Sequence, residues 1–197
     1  PDFNGAAQEG VGVYQINTKG GRRMSAARAF LRPAMKRPNL RVETNALATR
    51  ILFEGKRAVG VEYEQHGKTV VARAAHEVIV SAGSVNSPQL LQLSGVGPGK
   101  LLQDLGIPVV LDNGNVGANL QDHIGINYTF RGRKPTLNQV LRPWWGKALV
   151  GMQYLLTRSG PLALSMNNAG GFFRTDPALE RPNMQLYFQA FSTVIPK

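Results

Sequence analysis

The chain contains no cysteine in its 197 residues. This absence excludes disulfide bonds, thiol nucleophiles and metal sites built on cysteine thiolates. It is compatible with a reducing compartment, where disulfides are rare. Catalytic or binding chemistry must therefore come from other side chains, from the backbone or from a bound cofactor.

The sequence also lacks a secretory signal and a long apolar run. The N-terminus reads Pro1-Asp2-Phe3-Asn4-Gly5, without a starting Met or an apolar core, so we expect an internal segment of a longer gene product. The most apolar stretch, residues 144–156, is too short to span a bilayer and is interrupted by Lys147 and Gln153. These features predict a cytoplasmic or peripherally membrane-associated protein.

Acidic residues are scarce, because 23 Lys and Arg face 12 Asp and Glu and the formal net charge is +11. No run of five or six like charges occurs, which favours a solvated surface. The alternative is a non-catalytic basic module that binds nucleic acid or an anionic membrane surface. Residues 144–147, Trp-Trp-Gly-Lys, resemble an interfacial anchor and keep that alternative open.

Alternating apolar and polar residues predict a β-hairpin, with strands at residues 58–63 and 68–72 and an exposed turn at His66. Apolar periodicity and strand patterns further along the chain predict one helix and three more strands. These elements are a strand at residues 126–130, a helix at 145–157, and strands at 170–173 and 184–188.

Residues 77–80 are nearly all apolar and predict a central, buried strand. The strand leads into a turn of small residues that includes Ala82 and Gly83. A helix is predicted to follow, with Ser87 as its cap and Pro88 in its first turn. A strand, a small-residue turn and a helix N-terminus allow backbone N–H groups to approach a nucleotide or phosphate closely.

Residues 83–97 read GSVNSPQLLQLSGVG. This stretch resembles the second signature of the glucose–methanol–choline (GMC) oxidoreductases: the opening Gly and small residue, Ser-Pro, the paired aliphatic residues and the closing Ser-Gly-Val-Gly all fit. Further segments are similar to the family in the same order, so that the resemblance covers essentially the whole chain. They are residues 2–5, 23–28, 37–40, 58–61, 116–123 and 169–172.

The resemblance implies an α/β fold with FAD as cofactor. Residues 1–123 would be the remainder of a Rossmann-like FAD-binding domain with a β-meander, and residues 124–197 the beginning of an antiparallel-sheet (α+β) substrate-binding domain. The GxGxxG unit that holds the ADP part of FAD in the family does not occur in this sequence. We expect the catalytic His in a C-terminal segment beyond Lys197, and hence no catalytic residue and no metal site in this chain.

The implied reaction is oxidation of the CH–OH group of a small-molecule alcohol by hydride transfer to FAD, with the electron acceptor unknown and no nucleic acid as partner. Resemblance assigns cofactor contacts to Ala48, Ala82 and Gly83. Small residues suit the turn at residues 82–83, because a larger side chain would hold the backbone away from the cofactor.

Substrate contacts are expected in the later sheet, from Asn168, Tyr187 and Phe188. Many family members have a Glu where Asn168 stands, and a Glu can face a cationic substrate. Asn168 supplies no such charge, which argues against choline without excluding it. His123 is expected to make a structural hydrogen bond near the flavin. The pair Asp122-His123 is not expected to serve as a catalytic dyad, since adjacent residues rarely orient one another.

Overall fold

The computed structural model describes residues 2–189 and residue 191. Its strands are β1 Gly10–Val13, β2 Thr18–Lys19, β3 Arg22–Arg23, β4 Ala46–Glu54, β5 Arg57–Gln65, β6 Lys68–Arg73, β7 Val96–Gly97, β8 Leu111–Asp112, β9 Asn167–Phe173 and β10 Met184–Gln189. Its helices are α1 Arg32–Ala34, α2 Gly83–Leu93, α3 Gly99–Asp104, α4 Leu137–Leu141 and α5 Trp144–Thr157, with a π-helical turn at Ala27–Leu31 and a 3₁₀ turn at Pro161–Ala163.

The chain divides into two compact units, and each is described by itself. Unit 1 comprises Pro1–Leu40 and Ile126–Lys197, and unit 2 comprises Arg41–Gly125.

Unit 2 contains an antiparallel meander of three strands in the order β4-β5-β6. The turn between β5 and β6 has positive φ at His66 (51°) and Gly67 (72°). Positive φ at both central residues is the geometry of a type I′ turn, whose twist matches that of the flanking strands. The predicted hairpin is therefore confirmed, and His66 is exposed as expected.

Helix α2 packs against β4, and a buried hydrogen bond fixes its C-terminal end. The Ser94 Oγ accepts the Ile51 backbone N–H at 2.8 Å and donates to the Leu90 carbonyl at 2.5 Å. Ser94 is 8% exposed and Ile51 is 5% exposed. The bond thus satisfies a backbone donor that water does not reach.

Unit 1 contains a second antiparallel sheet, in the order β1-β9-β10. The predicted strands at residues 170–173 and 184–188 are confirmed as parts of β9 and β10. Tyr14, just after β1, donates a hydrogen bond from its hydroxyl to the Leu186 carbonyl at 2.9 Å. A Cβ atom at Gly170 would collide with that carbonyl and with the Tyr14 hydroxyl, so glycine is required where the tyrosine ring crosses β9.

Helix α5 confirms the helix predicted at residues 145–157. The preceding helix α4 begins with a capping box, in which Thr136 and Gln139 satisfy each other's backbone N–H groups. Gly146 allows α5 to approach α4 closely, because a Cβ atom there would collide with the Val140 carbonyl. One side of α5 is therefore packed, and Val150 on that side is buried.

Two predicted strands are wrong for this structure. Residues 77–80 and 126–130 have no regular secondary structure and belong to no sheet of the described residues. A strand is held by a neighbour that completes its backbone hydrogen bonds, and no strand of the described part of the chain pairs with either segment. Ile79 is accordingly exposed and not buried as predicted.

The predicted start of the signature helix is also wrong. Helix α2 begins at Gly83, five residues before Pro88, which lies inside the helix. Ser87 does not cap the helix; its Oγ accepts the backbone N–H of Ala82 at 3.0 Å. Proline removes one helical hydrogen bond, and α2 tolerates the loss within its first two turns.

Candidate functional site

The turn into α2 presents an open helix N-terminus. Gly83 adopts φ +91°, a conformation that L side chains rarely adopt, and no atom lies within 4 Å of where its Cβ would be. No side chain caps the helix, and Ala82 and Gly83 are exposed. The first N–H groups of an α-helix have no intrahelical acceptor and carry the positive end of the helix dipole. The turn can therefore receive a polar or anionic ligand group at short range.

Ala48 lies on β4, an edge strand of the meander. Its register partner is Tyr63 on β5, and the pairing shifts between Ala48 and Arg50. Along an edge strand, backbone N–H and C=O groups on the outer side lack ladder partners and can bind a ligand. Ala48 is exposed. No hydrogen bond of the described residues joins it to Ala82 or Gly83, although all three residues belong to unit 2.

The charges beside Ala48 neutralise each other. Arg50 binds the Glu62 carboxylate through two hydrogen bonds, Nε to Oε1 at 3.0 Å and Nη2 to Oε2 at 2.9 Å. The Arg50 hydrogen bond, followed by a smaller contribution from the Thr49 hydroxyl, lowers the pKa of Glu62 below its ordinary value. The same ion pair raises the pKa of Arg50. The Arg50 and Glu62 charges beside Ala48 are therefore paired with each other.

In unit 1, the three predicted substrate residues lie on β9 and β10. Tyr187 pairs with Gly170 and its ring lies 5.9 Å from that of Tyr14. Phe188 pairs with Ala169, and because successive strand residues point to opposite faces, its side chain is on the other face from Tyr187. Asn168 precedes Ala169 in β9, and its side-chain oxygen is buried without a hydrogen-bond partner.

A cavity of about 470 Å³ opens on the Tyr187 face of this sheet. Its lining is aromatic and amide-rich, and no Lys, Arg, Asp, Glu or His of the described chain takes part. The lining residues are Phe3, Asn4, Gln8, Val13, Tyr14, Gln15, Ile16, Ser165, Asn167, Phe172, Gln185 and Tyr187. Its volume and its uncharged polar and aromatic lining suit a small neutral ligand.

Sequence reasoning missed the aromatic cluster at this cavity. Phe3 lies 5.3 Å from Tyr14 and 5.2 Å from Phe172, measured between ring centroids. Phe172 is distant from Phe3 and Tyr14 in the sequence, and the pairing of β1 with β9 brings it into this part of the chain. No local pattern signals such a pairing. Ser94 was seen only as a signature residue, and its bond to Ile51 had no sequence signal either.

His123 makes no side-chain contact with its neighbour. The Asp122 carboxylate accepts the backbone N–H of His123 at 2.7 Å, and both residues are exposed. This bond is a local contact between a side chain and the adjacent backbone N–H, and it does not involve the imidazole. No helix in the described part of the chain has the length and apolar character needed to traverse a bilayer.

Two solved structures of oxidoreductases are similar to this chain. An FAD-dependent oxidoreductase from Chaetomium thermophilum superimposes with a TM-score of 0.76 at 32% identity, over 84% of this chain and 30% of that protein. Pyridoxine 4-oxidase from Mesorbium loti gives a TM-score of 0.75 at 26% identity, over 95% of this chain and 33% of that protein. The predicted α/β class is confirmed.

The family follows from the sequence. The GMC oxidoreductase family model matches residues 1–125, and the chain belongs to this family. Oxygen-dependent choline dehydrogenase of Rhizobium johnstonii is 46% identical over 187 residues, and that of Pseudomonas putida is 47% identical over 190 residues. Each alignment covers 95% of this chain but 34% of the relative, so the chain spans about a third of the length of these proteins.

Proposed function

We propose that this chain forms part of the FAD site and the beginning of the substrate site of an enzyme that oxidises the CH–OH group of an alcohol. The observation that carries the proposal is the open N-terminus of α2 at Gly83, within a family signature. When bound, FAD supplies the hydride acceptor, and the protein orients and tunes it.

On the cofactor side, the turn at Ala82 and Gly83 would bring the backbone close to FAD. The Ala82 N–H already donates to the Ser87 Oγ, so the N–H groups offered to FAD would be those at the start of α2, from Gly83 onward. The open space at Gly83 supports this role, since a ligand atom can approach where a side chain would otherwise stand. Ala48 would contribute backbone groups from the free edge of β4, and a backbone contact places no demand on the side chain. The neutralised Arg50–Glu62 pair leaves that edge without net charge.

On the substrate side, Asn168, Tyr187 and Phe188 would contribute from β9 and β10. The choline dehydrogenases and pyridoxine 4-oxidase support a small alcohol as the substrate class. The uncharged cavity and the neutral Asn168 favour an alcohol that carries no positive charge. Phe188 lies on the opposite face of β10 from that cavity, so its contact would be made on the other side of the sheet.

The same proposal divides the chain between two domains. Residues 1–123 would complete the FAD-binding domain and residues 124–197 would begin the substrate-binding domain. The base that takes the hydroxyl proton would be a His outside this chain. This division assigns the cofactor residues and the substrate residues to different domains.

The test is a chimera in which this chain replaces the matching segment of Pseudomonas putida choline dehydrogenase. We expect the chimera to bind FAD and its flavin absorbance to bleach anaerobically when an alcohol is added. Asn168→Glu in the chimera should raise kcat/KM for choline relative to uncharged alcohols. A folded chimera that binds no FAD, or whose flavin no alcohol reduces, refutes the proposal and favours the non-catalytic basic module.

A matched pair of glycine variants tests the cofactor contact. Gly83→Ala and Gly67→Ala both force alanine into positive φ, at +91° and +72°, with no atom within 4 Å of the new Cβ. Each should lose about 1 kcal/mol of stability. Only Gly83→Ala should also weaken FAD binding, because its methyl group separates the helix N-terminus from the cofactor. Equal FAD affinity in the two variants would show that Gly83 does not contact the cofactor.

A further inference from the structure

Helix α5 carries an exposed apolar face. The packed side of the helix contains Gly146 and Val150. Six large apolar residues on the other side are all more than half exposed. They occupy the i, i+4, i+7 and i+11 positions of one helical face and the positions beside it. They are Trp144, Trp145, Leu149, Met152, Leu155 and Leu156.

The sequence segment that contains α5 carries charge of one sign. Residues 123–175 contain seven Lys or Arg and no Asp or Glu, which gives +7 and leaves +4 (16 basic, 12 acidic) for the rest of the chain. One of the seven, Arg174, pairs with Glu9. The other six have no acidic partner among the described residues: Arg131, Arg133, Lys134, Arg142, Lys147 and Arg158.

We propose that the exposed face of α5 docks on the surface of an anionic lipid bilayer. An interfacial helix needs an apolar face, cations at its border and aromatic residues at headgroup depth. Here Lys147 lies within α5 and is exposed, so its stem can extend towards the headgroups while the apolar face is buried. Arg158, which follows the last residue of the helix, instead places its guanidinium carbon 5.0 Å from the centre of the Tyr154 ring. At 14 residues α5 is too short to span the bilayer and would lie in its surface.

The tryptophans decide between lipid and protein as the occupant. Trp144 and Trp145 are the only two tryptophans of the chain, and both lie at the N-terminal end of this face. Tryptophan favours the membrane–water interface, where its ring is buried and its N–H remains hydrated. The absence of any acidic side chain from residues 123–175 adds a long-range attraction to anionic lipid that an apolar protein partner would not require. The proposal is independent of the proposed enzymatic function.

The test is flotation of the 197-residue chain with vesicles of phosphatidylcholine alone or mixed with phosphatidylglycerol. Aggregated protein stays at the bottom of the gradient, whereas lipid-bound protein rises. We expect binding at least about tenfold stronger to the mixed vesicles, falling as salt is added. Brominated acyl chains should quench the tryptophan fluorescence, which reports α5 alone. No flotation, equal flotation with both lipids, or flotation with unquenched tryptophan overturns the proposal.

A matched pair of leucines provides the control. Leu155 on this face is 68% exposed and Leu120 in unit 2 is 67% exposed. Leu155→Ser should reduce binding to mixed vesicles by about fivefold or more, and Leu120→Ser should leave it unchanged. The same pair in the chimera tests the face with longer flanking polypeptide present. Equal flotation of the two variants, or a lipid-independent blue shift of tryptophan emission that grows with protein concentration, overturns the proposal in favour of a second copy or other polypeptide.

Discussion

Replacing Ser94 by alanine should loosen the contact between α2 and β4 more than its size suggests. The Ser94 hydroxyl is the acceptor for the Ile51 N–H, and Ile51 is 5% exposed. In Ser94→Ala this donor stays buried with no acceptor, which costs roughly 1–3 kcal/mol. The Leu90 carbonyl, by contrast, keeps the Ser94 backbone N–H as a donor at 3.2 Å. The loss therefore falls on a single backbone group in β4.

Ser87→Ala is the matched control. Its hydroxyl also accepts one backbone N–H, that of Ala82, but Ala82 is exposed and water can replace the lost acceptor. The expected loss is below about 1 kcal/mol. At about 2 kcal/mol, Ser94→Ala should raise local opening at Ile51 about thirtyfold.

The measurement is hydrogen–deuterium exchange of the chimera, resolved to the Ile51 amide, together with the urea midpoint. Ser94→Ala should accelerate exchange at Ile51 and lower the midpoint, whereas Ser87→Ala should do neither to a comparable extent. If Ile51 exchanges equally fast in both variants, the hydrogen bond does not hold β4 and the reasoning from burial fails.

Three further predictions concern packing, charge and surface. Gly146→Ala should destabilise α5 by several kcal/mol, because the new Cβ would collide with the Val140 carbonyl. Gly151→Ala has nothing within 4 Å of its Cβ and should stabilise the same helix by up to about 1 kcal/mol. Urea unfolding of the chimera, followed by the circular dichroism of its helices, checks both. The Arg174 side chain, and then its backbone N–H, hold the pKa of Glu9 below its ordinary 4.5. The stability that this pair contributes is therefore present above the unfolded-state pKa. It is lost as the pH falls through the lower folded-state pKa. In a nuclear magnetic resonance titration, Arg174→Gln should move the Glu9 midpoint upward; an unmoved midpoint contradicts the pairing. The chain made alone should self-associate in sedimentation and bind FAD weakly or not at all.

The sequence predicted the elements whose signals are local. The hairpin at His66 depends on adjacent turn residues, and α5 depends on periodicity within its own 14 residues, so both could be found. Residues 77–80 and 126–130 have the composition of strands, but pairing is decided elsewhere in the chain, and they remain unpaired in the described structure. The helix start at Gly83 was missed because a proline at residue 88 suggests an N-terminus that the backbone places earlier.

The residues of the candidate site also fall into those that the sequence could predict and those that depend on long-range pairing. Ala82 and Gly83 stand in a contiguous signature and could be proposed from sequence. Tyr14 could not, because its contacts with Leu186 and Tyr187 join parts of the chain more than 170 residues apart. Long-range strand pairing, and not the local motif, builds the cavity wall. The substrate side of the site is therefore the part that sequence reasoning describes least well.

The exposed surface explains why the chain made alone should neither stay monomeric nor hold FAD. Its accessible area is 16137 Å², whereas a folded monomer of 21.4 kDa should expose only about 9100 Å². Large apolar side chains account for part of the excess, such as Val13 on β1 and Leu186 on β10, and such patches drive association. The contacts proposed for FAD are a few backbone hydrogen bonds, each worth about 1 kcal/mol net. They must offset an association cost of at least about 4 kcal/mol. Tight stoichiometric FAD on a monomeric 197-residue chain would show that the decisive cofactor contacts already lie within these residues.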